Sequence, residues 1–259
     1  MNRAVFTQVG QVAHRSVVRT LRQPAQIVPA LIFPMFLLAV NSSGLQRATD
    51  LPHFPTRSYL TFALAIPFMQ GALFSVMNAG TDLARDIETG FLNRLSLTPL
   101  TGSRLLTGLL GGAVVLGAVQ AVVYLTVGVA AGANFAAGIP GVLVIFALSM
   151  LMAIGFGCIG LFVALRTGSG EAVQGMFPVF FVFLFLSSMS LPRNLIQTDW
   201  FRHVATYNPI SYLIEAIRSL LIKGWDGEAL ALGFGVAAAI AAIGMLAATT
   251  AMKSRMART

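Results

Sequence analysis

Residues 105–165 contain no charged side chain and read LLTGLLGGAVVLGAVQAVVYLTVGVAAGANFAAGIPGVLVIFALSMLMAIGFGCIGLFVAL. The hydrocarbon core of a bilayer is about 30 Å thick, and about 20 apolar residues in an α-helix cross it. This stretch is therefore long enough for two membrane-spanning helices. Glycine, asparagine and proline cluster between Gly132 and Gly141, so we expect the first helix to end and the second to begin there.

The composition indicates that lipid, rather than water, surrounds most of the chain. Hydrophobic residues make up 56% of the 259 residues and charged residues 10%, whereas about 25% of an ordinary soluble domain is charged. This excludes a disordered chain, a basic nucleic-acid-binding domain and almost any soluble enzyme of this length. The single cysteine, Cys158, excludes a disulfide framework and a thiolate metal cluster.

Dividing the chain at its charged residues predicts six spans, and we expect one all-α integral membrane domain over residues 1–259. The first span is short and contains Pro29 and Pro34, which membrane helices tolerate where neighbouring groups satisfy the freed carbonyls. Pro178 is a candidate kink in the fifth span. The predicted spans cover residues 24–42, 58–81, 105–131, 141–165, 172–192 and 229–252.

The positions of the basic residues predict the orientation of the chain. An even number of spans puts both termini on one side, and that side carries most of the arginine and lysine residues. Basic residues concentrate in cytoplasmic segments, so we expect both termini in the cytoplasm. A cleaved signal peptide over residues 1–44 is a rival interpretation, but residues 40–42 match the small-residue cleavage pattern poorly.

Residues 4–22 predict an amphipathic helix outside the spans, because apolar residues recur there at helical spacing. Arg15, Arg19 and Arg22 gather on another face of this helix. We expect the helix to lie in the membrane surface with its arginines toward anionic headgroups. Alternatively, the segment is a basic leader that only sets the orientation of the chain.

Residues 82–104 combine charges of both signs with apolar side chains at helical spacing, including Ile87, Phe91 and Leu95. This mixture favours a cytoplasmic helix whose apolar side enters a groove of another protein while its charges fix the register. The alternative is a solvated loop that only joins two spans.

The predicted outer loop, residues 193–228, contains another helix over residues 209–223. An asparagine able to cap the first turn precedes a proline at the first helical position. A glutamate and an arginine three residues apart are expected to pair. The helix is too short to span comfortably, so we expect a re-entrant or surface helix, with an ordinary linker helix as the alternative. These four residues are Asn208, Pro209, Glu215 and Arg218.

The sequence shows no energy source within the bundle itself. Neither of the two lysines follows a glycine, so the chain cannot form a Walker A phosphate-binding loop. It has no H-E-x-x-H zinc motif, and we predict neither a metal site nor a catalytic residue. The predicted spans lack the ionisable side chains that usually hold a coupling ion. Energy for uphill transport would therefore come from a partner, and residues 82–104 are its natural docking segment.

The second and fifth predicted spans are rich in phenylalanine and methionine. Such faces suit an apolar or amphipathic cargo, although any one of these side chains could equally face lipid or pack inside the bundle. The candidate path residues are Phe68, Met69, Phe74, Asn78, Phe177 and Phe181.

At two places the chain resembles the membrane-spanning permease subunit of type 2 ABC exporters, which include daunorubicin-resistance-type drug permeases and polysaccharide exporters. An apolar helix after Asn208-Pro209, with Arg218 and a following Gly224, matches the family pattern ahead of the last span. Where the family commonly has a lysine after the glycine that opens span three, this chain has Leu109, so the substrate class is not carried over. An acidic–Gly–Arg-Leu–Thr-Pro signature matches at Asp86, Glu88, Gly90, Arg94, Leu95, Thr98 and Pro99.

The resemblance implies one subunit of an exporter in the cytoplasmic membrane. The faces rich in phenylalanine and methionine favour a hydrophobic or amphipathic substrate such as a drug, lipid or glycolipid. Two copies of a separate ABC ATPase subunit would hold ATP and magnesium, so this chain would have no cofactor and would not itself be an enzyme. A second permease subunit, identical or paralogous, would pair with it, and no nucleic acid is involved. The ATPase would contact a coupling helix that contains Arg85, Asp86, Glu88, Gly90, Arg94, Leu95, Thr98 and Pro99.

Two other classes of protein remain as alternatives. An ATP-independent carrier or channel would need an ionisable residue in the membrane or a wide polar pore, and the sequence shows neither. A membrane anchor for a cytoplasmic complex would need neither feature.

Overall fold

The computed structural model describes residues 2–92 and 102–256, which form helices joined by turns and short loops. This confirms the predicted all-α fold. Two short 3-10 helices, Gln46–Asp50 and Arg193–Leu195, lie in the connections. The α-helices are α1 (Asn2–Leu21), α2 (Pro24–Gly44), α3 (Tyr59–Ala63), α4 (Ala65–Glu88), α5 (Gly102–Leu109), α6 (Gly111–Ala130), α7 (Gly138–Thr167), α8 (Gly170–Gly175), α9 (Phe177–Phe185), α10 (Asp199–Tyr207), α11 (Pro209–Ile222) and α12 (Gly227–Met256).

Five helical segments of the described chain are long and apolar enough to cross a membrane. The fifth predicted span, residues 172–192, is not among them and instead contains two short helices, α8 and α9, which break beside Pro178. Proline lacks the N–H that would continue the helix, so the break falls at the predicted kink. The five long segments are Pro24–Gly44, Tyr59–Glu88, Gly102–Ala130, Gly138–Thr167 and Gly227–Met256.

Helix α4 is the centre of the bundle, since most of its side chains are buried and it packs against α2, α6, α7, α8 and α11. The closest approach is to α7 at Gly80 and Gly160. A Cβ atom built on Gly160 would lie 2.1 Å from the carbonyl oxygen of Val76 on α4. Only glycine permits this contact between the two backbones, which fixes the spacing of α4 and α7.

Helix α1 packs against the bundle along α5 and α6. Its Ser16 hydroxyl donates to the carbonyl of Leu109 at 2.9 Å and accepts from the N–H of Gly112 at 3.0 Å. These two groups lie on either side of the break between α5 and α6, where the helical hydrogen bonding is interrupted. Ser16 therefore satisfies backbone groups that the break exposes.

Helix α2 keeps Pro34 in its interior because a neighbouring helix satisfies the carbonyl that the proline frees. Pro34 cannot donate to Ala30, four residues earlier. The Tyr124 hydroxyl of α6 donates to that oxygen at 2.6 Å, and Gln120 Nε2 lies 3.4 Å from it. This arrangement is the one expected from the sequence for prolines in the first span.

Replacing Tyr124 with phenylalanine removes the donor to Ala30 and is expected to destabilise the protein by about 1 kcal/mol. The same substitution in a Pro34→Ala background should have a much smaller effect, because the restored N–H then bonds to Ala30 within α2. Thermal unfolding of the four proteins in the same detergent measures this coupling. An equal loss of stability in both backgrounds would contradict the assignment.

Candidate coupling junction and translocation face

The end of α4 is joined to α1 by four charged side chains, which we call the ionic junction: Arg15, Arg19, Asp82 and Asp86. Arg15 Nη1 and Nη2 donate to the two Asp86 oxygens at 2.9 and 2.8 Å, a bidentate pair. Arg19 Nη1 donates to Asp86 at 2.9 Å, and Arg19 Nε lies 3.0 Å from an Asp82 oxygen. Residues four apart lie on one face of a helix, so the two arginines and the two aspartates form matching rows.

The ionic junction is partly buried and its formal charges balance. The Asp86 side chain is 5% exposed and that of Arg15 is 40% exposed. The hydrogen bonds from Arg15 to Asp86 raise the pKa of the guanidinium. One face of the planar Arg15 guanidinium lies over the ring of Phe91, 3.8 Å from its centroid. Removal of one partner would leave a partly buried charge uncompensated, so the four side chains act as one group that links α1 to α4.

The ionic junction corrects one prediction about α1. Arg15 and Arg19 face the aspartates of α4, rather than anionic headgroups. Arg22, the third arginine of the group, remains exposed. Sequence reasoning missed Asp82 as a partner of Arg19, although the matching four-residue spacing of the arginines and aspartates is the signal that could have revealed it.

The structure separates the predicted coupling residues into two faces. Helix α4 continues to Glu88, so residues 82–88 belong to this helix instead of beginning a loop. Arg85 and Glu88 are exposed, whereas Asp86 is buried in the ionic junction. Gly90 ends the segment with φ +68, a left-handed conformation that glycine adopts readily. The remaining four predicted residues, which lie outside the described residues, are Arg94, Leu95, Thr98 and Pro99.

Aromatic side chains from three helices form a continuous cluster, which we call the aromatic face: Phe33 of α2, Phe74 of α4, and Phe177 and Phe181 of α9. The ring centroids of Phe74 and Phe177 are 5.4 Å apart, and those of Phe177 and Phe181 are 4.7 Å apart. Phe33 extends the cluster, 5.9 Å from Phe181. All four rings are partly or largely exposed. Phe33 was not among the predicted path residues, because only the fold brings α2 beside α9.

The other predicted path residues are buried inside the chain. Phe68 and Met69 belong to the hydrophobic core, where Phe68 makes an edge-to-face contact with Tyr124. Asn78 donates to Gln26 at 2.6 Å and is 4% exposed. In this structure these three side chains therefore pack and orient helices, and Phe74, Phe177 and Phe181 alone of the predicted set line an accessible surface.

At the opposite end of α4, helix α11 begins as the sequence predicts. Asn208 caps it by accepting from the N–H of Ile210 at 3.0 Å, and Pro209 occupies the first turn. The amide of Asn208 also donates to the carbonyl of Phe183 at 2.6 Å, which ties α11 to the last turn of α9. Most of α11 is buried against neighbouring helices, so it does not lie on the protein surface.

The prediction that Glu215 and Arg218 form an ion pair is wrong. Glu215 accepts from Arg193 Nε at 2.7 Å and from the Ser188 hydroxyl at 2.8 Å. Arg218 instead donates to the carbonyls of Phe62, Ser188 and Met189 at 3.1, 3.0 and 2.9 Å. Those carbonyls lie at turns and breaks of the helices, where they lack helical partners, and the long Arg218 side chain reaches all three.

Replacing Asp86 with asparagine leaves the ionic junction with two arginines and a single carboxylate. We expect a loss of about 2 kcal/mol in stability, less than for a fully buried pair because Arg15 is partly exposed. Thermal unfolding of the full chain in detergent measures the loss. Asp199→Asn is the matched control, since its ion pair with Arg202 lies in solvent, and it should change stability by less than about 0.5 kcal/mol. Equal stability of the two variants would contradict the structural role of the junction.

Comparisons with known proteins identify the family of this chain. Residues 7–222 match the family model described as ABC-2 type transporter. The chain is 24% identical over 219 residues to a protein of Pyropia yezoensis named as the transport permease ycf38, covering 84% of this chain and 75% of the relative. A Cyanophora paradoxa protein of the same name is 25% identical over 208 residues, covering 80% and 71%.

A third relative carries a name that refers to drug resistance. The Mycobacterium tuberculosis strain H37Rv protein named as the doxorubicin resistance ABC transporter permease DrrC is 24% identical over 213 residues. The match covers 82% of this chain and 75% of the relative. The family model covers most of this chain, including α2, α4, α9 and α11. The chain therefore belongs to the ABC-2 type transporter family, as a multi-pass transmembrane transport subunit.

Proposed function

We propose that this chain is the membrane-spanning subunit of an ATP-driven exporter that moves a hydrophobic or amphipathic molecule out across the cytoplasmic membrane. The energy comes from a separate ABC ATPase, present in two copies, which holds ATP and magnesium. The observation that carries this proposal is the exposed end of α4, which the ionic junction fixes against α1. The drug-resistance name of the Mycobacterium relative supports a drug, lipid or glycolipid as substrate.

In the proposed topology the chain crosses the membrane six times and both termini are cytoplasmic. Helices α8 and α9, with the residues that follow to 192, make the fifth crossing. The concentration of arginine at the α1 end of the bundle supports this orientation. Helix α1 then lies at the cytoplasmic surface, and α11 is a re-entrant helix at the outer end.

In the proposed mechanism, ATP hydrolysis is coupled to transport through the ionic junction, which links α1 to α4. Arg85 and Glu88 face outward, while Asp82 and Asp86 on the same helix are bound to α1. An ATPase bound to the exposed face of α4 would therefore move α1 and α4 together. The contact between α4 and α7 at Gly80 and Gly160 passes the displacement into the bundle, because closely packed backbones shift as units.

The aromatic face is the proposed wall of the translocation path. Phe74 and Phe177 belong to α4 and α9, and their partly exposed rings suit an apolar or amphipathic molecule. A second permease subunit, identical or paralogous, would complete the path on the open side of this face. Movement of α4 by the ATPase would then change the shape of the path directly.

Reversing the charge of Glu88 tests the coupling site. Glu88→Arg should reduce the amount of ATPase subunit that co-purifies with the chain by about tenfold, since a like charge replaces a complementary one at the interface. Doxorubicin efflux from cells expressing the variant should fall in parallel. Measurements are a quantitative pull-down in mild detergent and a fluorescence efflux assay.

The matched control is Glu228→Arg, which reverses another exposed glutamate, in the first turn of α12 at the proposed outer end of the bundle. It should retain the ATPase subunit, and both variants should reach the membrane in normal amounts. Full retention of the ATPase by Glu88→Arg, or equal loss in both variants, would remove residues 85–88 from the coupling site.

A further inference from the structure

A cavity of about 580 Å³ opens at the end of the bundle farthest along α4 from the ionic junction. It shares no residue with the aromatic face. Its walls come from the connection before α3, the turn at residues 192–194, and α11 with the start of α12. The side chains that decide its chemistry are His53, Phe62, Arg193, Glu215, Arg218 and Lys223.

The carboxylates around this cavity already have partners. Glu215 accepts hydrogen bonds from Arg193 and Ser188. Asp226 accepts from the N–H of Ala229 at 3.1 Å, and its other oxygen lies 3.7 Å from Lys223 Nζ. The three basic side chains lining the cavity outnumber the two acidic ones, so its walls carry an excess of positive charge.

Arg218 is the buried one of the three basic side chains. The residue is 6% exposed, and its guanidinium lies over the ring of Phe62, 3.5 Å from the centroid. Its three hydrogen bonds go to neutral carbonyls. Glu215 is close enough to interact with it electrostatically, but among the described residues this carboxylate forms its ion pair with Arg193. A guanidinium has five N–H groups, so two remain. A buried cation is stable when a countercharge accompanies it.

Part of the cavity surface is apolar, and one residue of its wall has an uncommon backbone conformation. Phe62, Pro55 and Ile222 line it beside the charged groups. His53, at its wall, has φ +66 and is the one non-glycine residue with positive φ in the ranges that the structure describes. Backbone of this kind is costly for most residues and is found disproportionately at functional sites.

We propose that this cavity binds a phosphate or similar anionic group, either free or as the head group of an amphiphile, with Arg218 and Lys223 as its cationic contacts. The apolar wall favours the amphiphile, because Phe62 and Ile222 can contact the first carbons of its chain. Binding here needs no ATPase, so the proposal does not depend on the direction or energy source of transport.

The experiment is native mass spectrometry of the full chain in dodecyl maltoside, titrated with dodecyl phosphate. We expect one bound molecule per chain and no comparable adduct with the neutral analogue dodecanol. Lys223→Gln should weaken binding about threefold, because it removes a largely exposed cationic contact. Arg202→Gln, which removes an exposed arginine outside the cavity, should leave binding unchanged. Arg218→Gln should abolish binding if this variant folds. If it does not fold, the comparison of Lys223→Gln with Arg202→Gln tests the proposal.

Titration with inorganic phosphate distinguishes the two sources of the anion. Competition with dodecyl phosphate would assign the site to the anionic group alone, whereas binding of dodecyl phosphate without competition would assign it to an amphiphile. Equal binding of dodecanol, no adduct at all, or the same affinity in Lys223→Gln and Arg202→Gln would overturn the proposal. Because the chain is tested without an ATPase, failure here is distinct from failure of the export proposal.

Discussion

Two arginines of α1 and two aspartates of α4 meet in a partly buried contact, and the position of the predicted coupling surface depends on it. Without the arginines, Asp82 and Asp86 would be charges at the edge of a lipid-facing bundle, where they are costly. With them, α4 can extend beyond the predicted span as far as Glu88. Arg85 and Glu88 are exposed on the same helix whose Asp82 and Asp86 bind α1. One set of charges thus positions both α1 and the proposed docking surface.

Helix α4 links the two ends of the molecule. At one end it carries the ionic junction, and near the other Phe62, just before it, receives a hydrogen bond and ring contact from Arg218. Between them, Gly160 brings the backbone of α7 against α4. Phe74 projects from the same helix into the aromatic face. A displacement of α4 at the ionic junction would therefore move Phe74 in the aromatic face. This connection is the physical basis for coupling in the proposed exporter.

Sequence reasoning anticipated the features that depend on local chemistry. Charge-free runs located the long helices, the cluster at residues 132–141 marked a break, and Asn208 capped its helix as expected. It did not anticipate contacts between distant segments. Arg15 had several possible partners, and only the packing of α1 selects Asp86. Glu215 had a local candidate, yet a residue 22 positions away, Arg193, binds it. Phe68 and Phe74 look alike in sequence, and the fold alone decides which is buried.

Purification of this protein from its native membrane in mild detergent, with mass spectrometry of the proteins that accompany it, is the first experiment we would perform. We expect a stoichiometric ABC ATPase subunit with its own Walker motifs, because Arg85 and Glu88 are exposed at the end of α4. A second permease polypeptide in the same complex would show that the permease pair is a heterodimer. An intact complex that contains no ATPase would contradict ATP-driven export and favour a carrier or a membrane anchor.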